Sequence, residues 1–158
     1  MSRRWCSVVG LVAVVAGCHR AVQITPSPKI PTGSRWTATL ASPQTLAGAI
    51  QIRGSSWMAA PSMNDSAHTL ATIQISNAES GGVHPWAVHM GSCGNDQGVF
   101  GSNNTYKALH VGSDGTASSS ATLNEPAPKT GNYFVEVLAS PTNTNTVIAC
   151  GNMASPSA

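Results

Sequence analysis

Charged side chains are scarce in this 158-residue sequence, in which Asp, Glu, Lys and Arg together make up 9% of all residues. The formal net charge of +2 includes Arg3 and Arg4 near the N-terminus, so the rest of the chain is close to neutral and has no basic cluster. Nucleic-acid binding needs several cationic side chains on one surface, and the composition therefore excludes that class of partner. Glu, Lys and Leu, which favour helices, are also scarce, and this argues against a helical bundle.

Long apolar runs are absent as well. The apolar stretch of residues 5–17 is shorter than the roughly 20 residues that a membrane-spanning helix needs. Arg3 and Arg4 precede this stretch and small residues end it, which is the pattern of a secretory signal peptide. We therefore predict that residues 1–17 form a signal peptide that is removed from the mature protein.

The predicted signal peptide runs into residues 15–18, VAGC, which resemble the lipobox of bacterial lipoproteins. The resemblance implies cleavage before Cys18 and attachment of diacylglycerol to its sulfur. Two or more acyl chains anchor a protein stably, so the expected partner is a membrane of the bacterial cell envelope. His19 follows instead of an acidic residue, which favours the outer membrane, facing the periplasm or the cell surface. A secreted protein that merely contains Cys18 is the alternative.

Residues 18–35 contain three prolines, Pro26, Pro28 and Pro31, which favour an extended and semi-rigid chain. We expect this segment to be a tether between the lipid and a folded domain. Residues 36–153 consist of short β-like runs between turn residues, which predicts one all-β domain, a β-sandwich or flattened barrel. Residues 154–158 are expected to be a flexible tail.

Several runs alternate apolar and polar residues, as half-buried strands do. Asp114 and Gly115 lie between two further runs and predict a β-hairpin, because both turn positions tolerate a positive φ. Residues 55–68 look irregular, and Glu136 is expected on the solvent face of its strand. The predicted strands cover residues 36–42, 46–54, 69–77, 86–90, 132–140 and 146–150.

Four cysteines are present, of which Cys6 belongs to the signal peptide and Cys18 is the predicted lipidation site. Cys93 and Cys150 remain as an even pair in an oxidising compartment, and we expect them to form a disulfide. A pair of thiolate metal ligands is the less favoured alternative, because no CxxC or other close cysteine spacing supports it.

Three motifs resemble the copper/zinc superoxide dismutase family. Residues 80–93, SGGVHPWAVHMGSC, resemble its segment P-G-x-H-G-F-H-V-H-x-x-G-x-C; residues 109–117, LHVGSDGTA, resemble its hairpin; and residues 147–153, VIACGNM, resemble its last strand. The motifs occur in the family's order, and Cys93 and Cys150 occupy the positions of its intrasubunit disulfide. The resemblance covers most of residues 36–153 and implies an eight-stranded Greek-key β-barrel.

Most metal-binding residues of that family are replaced here. The resemblance gives His84 a structural position, Ala87 the position of one copper ligand and His89 the position of another. Leu138 occupies the position of the last copper histidine, and residues 94–108, where the family has its bridging and zinc ligands, contain no histidine. One imidazole does not hold redox-active copper, which needs several nitrogen ligands in a fixed geometry.

Val147 occupies the position of the family's substrate-guiding arginine, so the positive field that attracts an anion is lost as well. We therefore expect no catalytic residue and no cofactor, and weak copper or zinc binding by His84 with His89 stays open. His68 and His110 are expected to be surface or structural residues. The chain is interpreted as a non-catalytic binding or structural module. The alternatives are a divergent superoxide dismutase, which would be an enzyme, and a periplasmic copper or zinc binder. The sequence indicates neither a protein partner nor an oligomeric state.

Overall fold

A computed structural model describes residues 35–46 and 51–156. The predicted signal peptide, the predicted lipidation site Cys18 and almost all of the predicted tether lie outside the described residues. The same holds for residues 47–50 and for residues 157–158. Within the described ranges, the chain forms no helix that combines the length and the apolar character needed to cross a membrane.

The described chain is all-β, which confirms the predicted fold class. Its regular structure consists of ten strands and two short 3-10 turns, Gln44–Leu46 and Asn103–Thr105. In chain order the strands are β1 Trp36–Ala41, β2 Arg53–Ala59, β3 Thr69–Ser76, β4 Val83–His84, β5 Trp86–Ser92, β6 Asn95–Val99, β7 Leu109–His110, β8 Ala117–Leu123, β9 Tyr133–Ser140 and β10 Asn143–Asn152.

Eight of these strands form one antiparallel sheet in the order β6-β5-β9-β10-β1-β2-β3-β8, and β4 pairs separately with β7. The sheet curls into a half-barrel, which agrees with the predicted flattened barrel of about eight strands. Three neighbouring pairs, β5 with β9, β10 with β1 and β3 with β8, are distant in the sequence, as in Greek-key connections.

One side of the sheet carries the apolar core. Burial alternates strictly along β1, where Trp36, Ala38 and Leu40 are buried and the residues between them are exposed. The alternation follows from strand geometry, because successive side chains point to opposite faces. The fully buried members of the core include Leu40, Met58, Ile75, Val88, Leu109, Leu123, Val135 and Val137.

The other side of strands β1, β2, β3 and β8 presents a surface that we call the neutral face. Hydroxyl and amide side chains dominate it, and Trp57 adds one aromatic ring. The strand register aligns its central residues in two rows across the sheet: Thr37, Trp57, Thr72 and Ser120 in one row, and Thr39, Ser55, Gln74 and Ser118 in the next.

Strand β2 lies further along the chain than the sequence predicted. It covers Arg53–Ala59, so residues 55–59, which looked irregular, belong to it. Of the predicted run 46–54, residues 51–52 precede the strand and residues 47–50 lie outside the described residues. Ser56 occupies a buried position of this strand, where its hydroxyl donates to the Thr72 carbonyl oxygen at 2.7 Å. A serine at a core position interrupts the apolar alternation by which a strand is identified in a sequence, and this explains the error.

The predicted turn at Asp114 and Gly115 forms, but the predicted hairpin does not. Gly115 has a φ of +74°, and the Asp114 carboxylate accepts a hydrogen bond from the Thr116 backbone N–H at 3.0 Å. The strands on either side pair elsewhere, β7 with β4 and β8 with β3. A turn motif specifies that the chain reverses, whereas the long-range packing of the strands decides which of them pair.

Backbone pairing continues past the predicted end of the domain. Ala154, expected as the first residue of a flexible tail, exchanges two backbone hydrogen bonds with Thr37, at 2.8 and 3.1 Å. The preceding residue, Met153, is buried against the core. The sheet therefore includes at least one residue of the predicted tail.

The predicted disulfide between Cys93 and Cys150 is present, with an S–S distance of 2.00 Å and a sequence separation of 57 residues. Cys93 follows the end of β5, and Cys150 lies in β10, so the bond passes over the intervening strand β9. Cys150 is directly opposite Glu136 in the β9–β10 register. Directly opposed residues of an antiparallel pair share a face, so the disulfide and Glu136 lie on the same side of the sheet.

We expect the double substitution Cys93→Ser with Cys150→Ser to lower the free energy of unfolding by about 4 kcal/mol, because it restores the conformational entropy of a long loop in the unfolded chain. Urea unfolding under non-reducing conditions measures the difference. Reductant should destabilise the parent chain but leave the double variant unchanged. Equal stability of the oxidised parent and the double variant would contradict the expectation.

Candidate functional site

The outer side of strands β5 and β9 carries the candidate site. The register places Ala87 opposite Glu136 and His89 opposite Phe134. These four side chains share one face of the sheet, opposite to the face that carries Val88 and Val135. Ala87, His89 and Phe134 are buried on it as well. The His89 and Phe134 rings lie 5.1 Å apart between centroids, and His89 is only 7% exposed.

His89 lies between two carboxylates. Its Nδ1 is 2.9 Å from Oδ1 of Asp96, and its Nε2 is 3.3 Å from Oε1 of Glu136. We call these three residues the His89 cluster. Each member offers one possible metal-ligating atom, and these atoms lie within 4.8 Å of one another. The Asp96 side chain is 50% exposed and the Glu136 side chain 14%, so the cluster is open to solvent on the Asp96 side.

The turn between β5 and β6 positions Asp96. The Asp96 carboxylate accepts hydrogen bonds from the Gly98 backbone N–H at 2.7 Å and from the His89 ring at 2.9 Å. Gly91, opposite Asp96 in the register, has a φ of +106°, and a Cβ there would collide with the Asn95 carbonyl oxygen. A glycine at this position is therefore required for the conformation that brings Asp96 to His89.

The two carboxylates have opposite electrostatic environments. The hydrogen bond from Gly98 is the largest influence on Asp96 and lowers its pKa, burial opposes this, and the bond to His89 adds to the lowering. Burial is the largest influence on Glu136 and raises its pKa, with His89 acting against this rise and Asp96 adding to it. Asp96 is thus the carboxylate held ionised by hydrogen bonds, and Glu136 is the one that burial disfavours as an anion.

The solvent-exposed position expected for Glu136 is wrong in one respect. Its side chain lies on the face opposite to that of Val135 and Val137, but it is only 14% exposed. His89 contacts its carboxylate, and Cys150, which carries the disulfide, lies directly opposite it in the sheet. The outer face is therefore partly enclosed at this point, which the alternating pattern of a single strand cannot indicate.

His84 is not part of the cluster and has hydrogen bonds of its own. Its Nδ1 lies 2.9 Å from the carbonyl oxygen of Ala139 and 3.2 Å from that of Leu138, so it donates to the end of β9. Its Nε2 is buried and has no hydrogen-bond partner, next to Gly82, whose backbone leaves no room for a Cβ. The geometry gives His84 a structural position that ties β4 to β9.

The other histidines lie apart from His89. His68 pairs with Asp65 at 3.0 Å and is partly exposed, and His110 is exposed in β7. In the described part of the chain, the His89 cluster is the one group of three or more His, Cys, Asp and Glu side chains with converging ligand atoms. Leu138 was aligned with a copper histidine by the motif resemblance. Its backbone N–H donates a hydrogen bond to the Pro85 carbonyl oxygen at 2.8 Å.

The donor set of the His89 cluster is one imidazole nitrogen with carboxylate oxygens. A copper ion that cycles between two oxidation states needs several nitrogen ligands, so these residues do not fit a redox copper centre. Imidazole nitrogen with carboxylate oxygen is a common donor set for zinc. Sequence reasoning found His89 but missed Asp96 and Glu136, because their proximity depends on the β5–β6 turn and on the pairing of β5 with β9.

No family model matches this chain, and no curated protein matches it either. The motif resemblance to copper/zinc superoxide dismutases therefore stays a prediction, which is supported by three short motifs and is compatible with the observed fold class.

We expect His84→Ala to lower the free energy of unfolding by about 1–3 kcal/mol, because it removes a buried donor from the carbonyl groups at the end of β9. Urea denaturation measures the change. His110→Ala is the matched control, since His110 is exposed in β7, the strand that pairs with β4; its effect should stay within about 0.5 kcal/mol. Equal effects of the two substitutions would argue against the structural role of His84.

Proposed function

We propose that this chain is a lipid-anchored protein of the bacterial cell envelope whose superoxide dismutase-like β-domain is a non-catalytic binding or structural module. The observation that carries the non-catalytic part is the composition of the His89 cluster, which pairs one imidazole with two carboxylates. Ala87 lies directly opposite Glu136, so a methyl group stands on this face where a second imidazole would be needed. An oxygen-rich donor set of this kind does not support copper redox chemistry.

The surroundings of the cluster also argue against turnover of an anionic substrate. Catalysis of superoxide removal depends on drawing a small anion to the metal, which a local positive field does efficiently. Here Asp96 and Glu136 contribute negative charge next to His89. Val147, which pairs with Leu138 across β9 and β10, adds no charge. The field near the cluster is therefore unsuited to attracting superoxide.

Membrane attachment is proposed from the N-terminal sequence. Arg3 and Arg4, the short apolar stretch and the VAGC motif at residues 15–18 together form the pattern of a lipoprotein leader. The disulfide between Cys93 and Cys150 fits this location, because such bonds form in oxidising compartments such as the periplasm. The domain would then be held at the membrane surface by the proline-containing tether, with the lipid bilayer as its partner.

Replacing Cys18 with Ala should abolish the incorporation of labelled palmitate, because this cysteine is the proposed acceptor of the lipid. Metabolic labelling of the cells measures the effect. Cys6→Ala is the matched control, since Cys6 lies within the proposed signal peptide, and it should keep the label. Palmitate labelling of the Cys18→Ala variant at the parent level would overturn the proposed anchor.

The copper-loaded full-length chain should remove superoxide no faster than a buffer blank once a chelator has taken up the free ion. The reason is that one imidazole and two carboxylates do not retain redox-active copper. A cytochrome c reduction assay with an authentic copper/zinc superoxide dismutase as positive control measures this. Chelator-resistant activity that is lost in His89→Ala would overturn the non-catalytic assignment in favour of a divergent dismutase.

A further inference from the structure

We propose that the His89 cluster binds a divalent transition-metal ion of the zinc class, with His89 Nε2 and the Glu136 carboxylate as protein ligands and Asp96 as the positioning residue. Water would complete the coordination. The proposal concerns binding and does not depend on the lipid anchor or on the absence of catalysis. Neither Asp96 nor Glu136 stands at a position to which the motif resemblance assigns a metal ligand.

The hydrogen bond at Nδ1 determines what the other ring nitrogen can do. Nδ1 lies 2.9 Å from an Asp96 oxygen that also accepts the Gly98 N–H at 2.7 Å, so Nδ1 carries a proton and donates it. In the neutral ring, Nε2 then has a lone pair, and a Glu136 carboxylate oxygen lies 3.3 Å from this nitrogen. Two acceptors at this distance repel each other unless a cation lies between them, and that cation is either a proton or a metal ion.

The separation of the two acceptor atoms fits a metal ion. Nitrogen and oxygen ligands lie about 2.0–2.2 Å from tetrahedral zinc, which places two ligands of one ion roughly 3.3–3.6 Å apart. The observed distance between His89 Nε2 and Glu136 Oε1 is 3.3 Å. The His89–Asp96 contact satisfies hydrogen-bond geometry, whereas the His89–Glu136 contact is an ion-pair distance alone. The gap between Nε2 and Glu136 is therefore the side of the ring that is prepared for an ion.

Asp96 has the role that carboxylates have next to metal-binding histidines. A histidine ligand almost always donates its second ring N–H to a carboxylate, a carbonyl or water, which fixes its tautomer and orientation. Asp96 does this for His89 and is itself held by the Gly98 N–H. The arrangement leaves the Nε2 lone pair free beside Glu136 before any ion arrives.

The supporting elements are rigid, as an ion site requires. His89 and Glu136 lie in adjacent strands of the same sheet, with Ala87 directly opposite Glu136. The Cys93–Cys150 disulfide passes over β9 next to Glu136 and holds the end of β5 in place. Only two protein ligands are offered, so the expected affinity is moderate.

Zinc titration of the full-length chain, purified in detergent and stripped with a chelator, tests the proposal by isothermal calorimetry. We expect one zinc ion per chain. His89→Ala and Glu136→Gln should each abolish saturable uptake, and Asp96→Asn should weaken it by about 10- to 100-fold, as for other residues that orient a metal ligand. His68→Ala is the matched control, because it removes the exposed histidine of a similar 3.0 Å pair with Asp65, and it should bind as the parent does.

A spectroscopic readout separates ligation from a structural role. Cobalt(II) added to the stripped chain should give visible d–d bands of a tetrahedral site, and zinc should shift the ¹⁵N resonance of His89 Nε2 while Nδ1 stays protonated. Glu136→Gln preserves size, so it carries the test even where His89→Ala fails to fold. No saturable zinc uptake by the parent, or unchanged uptake in Glu136→Gln, would overturn the proposal and leave a proton as the cation between the two groups. Neither result would alter the outcome of the lipid-labelling or superoxide assays.

Discussion

The pairing of β5 with β9 is the constraint on which the rest of the candidate site depends. It aligns Trp86 with Val137 and Val88 with Val135 on the core side, where all four are buried. Because strand side chains alternate between faces, a slip of one residue would move these apolar groups to the outer side. Burial of the core therefore fixes the register, and the same register brings His89 and Glu136 together on the opposite face. The chemistry of the outer face is thus a consequence of packing on the inner one.

A second, local constraint acts on His89. Gly91, near the end of β5, has a positive φ, and the turn that follows carries Asp96 back to the ring. The Gly98 N–H then holds the Asp96 carboxylate, and this in turn selects the nitrogen of His89 that faces Glu136. A sheet register and one tight turn together produce an arrangement of donors that no single segment of the sequence contains. The two carboxylates are the neighbours of His89 that the sequence motif alone does not indicate.

Features encoded locally were predictable from the sequence, and features that depend on distant pairing were not. The alternation in residues 69–77 and the β-branched run around Val135 and Val137 predicted β3 and β9, because a strand with one buried face shows a period of two. The disulfide followed from two unassigned cysteines. Glu136 was misjudged because a strand pattern shows which residues face outward but not what covers them. Strand β2 was misplaced because its core position is a serine.

The neutral face has a consequence for how this domain stays dispersed in water. Proteins usually stay dispersed because molecules of like net charge repel one another. Dissolved salt screens this repulsion at separations beyond about 10 Å at 0.1 M ionic strength. Here seven of the eight residues in the two central rows on β1, β2, β3 and β8 carry uncharged hydroxyl or amide groups, which hydrogen-bond to water, and the eighth is Trp57. Hydration of this kind does not depend on an ionic atmosphere. Away from Arg35, which lies 5.6 Å from the centroid of the Trp57 ring, the hydration of this surface therefore depends little on ionic strength.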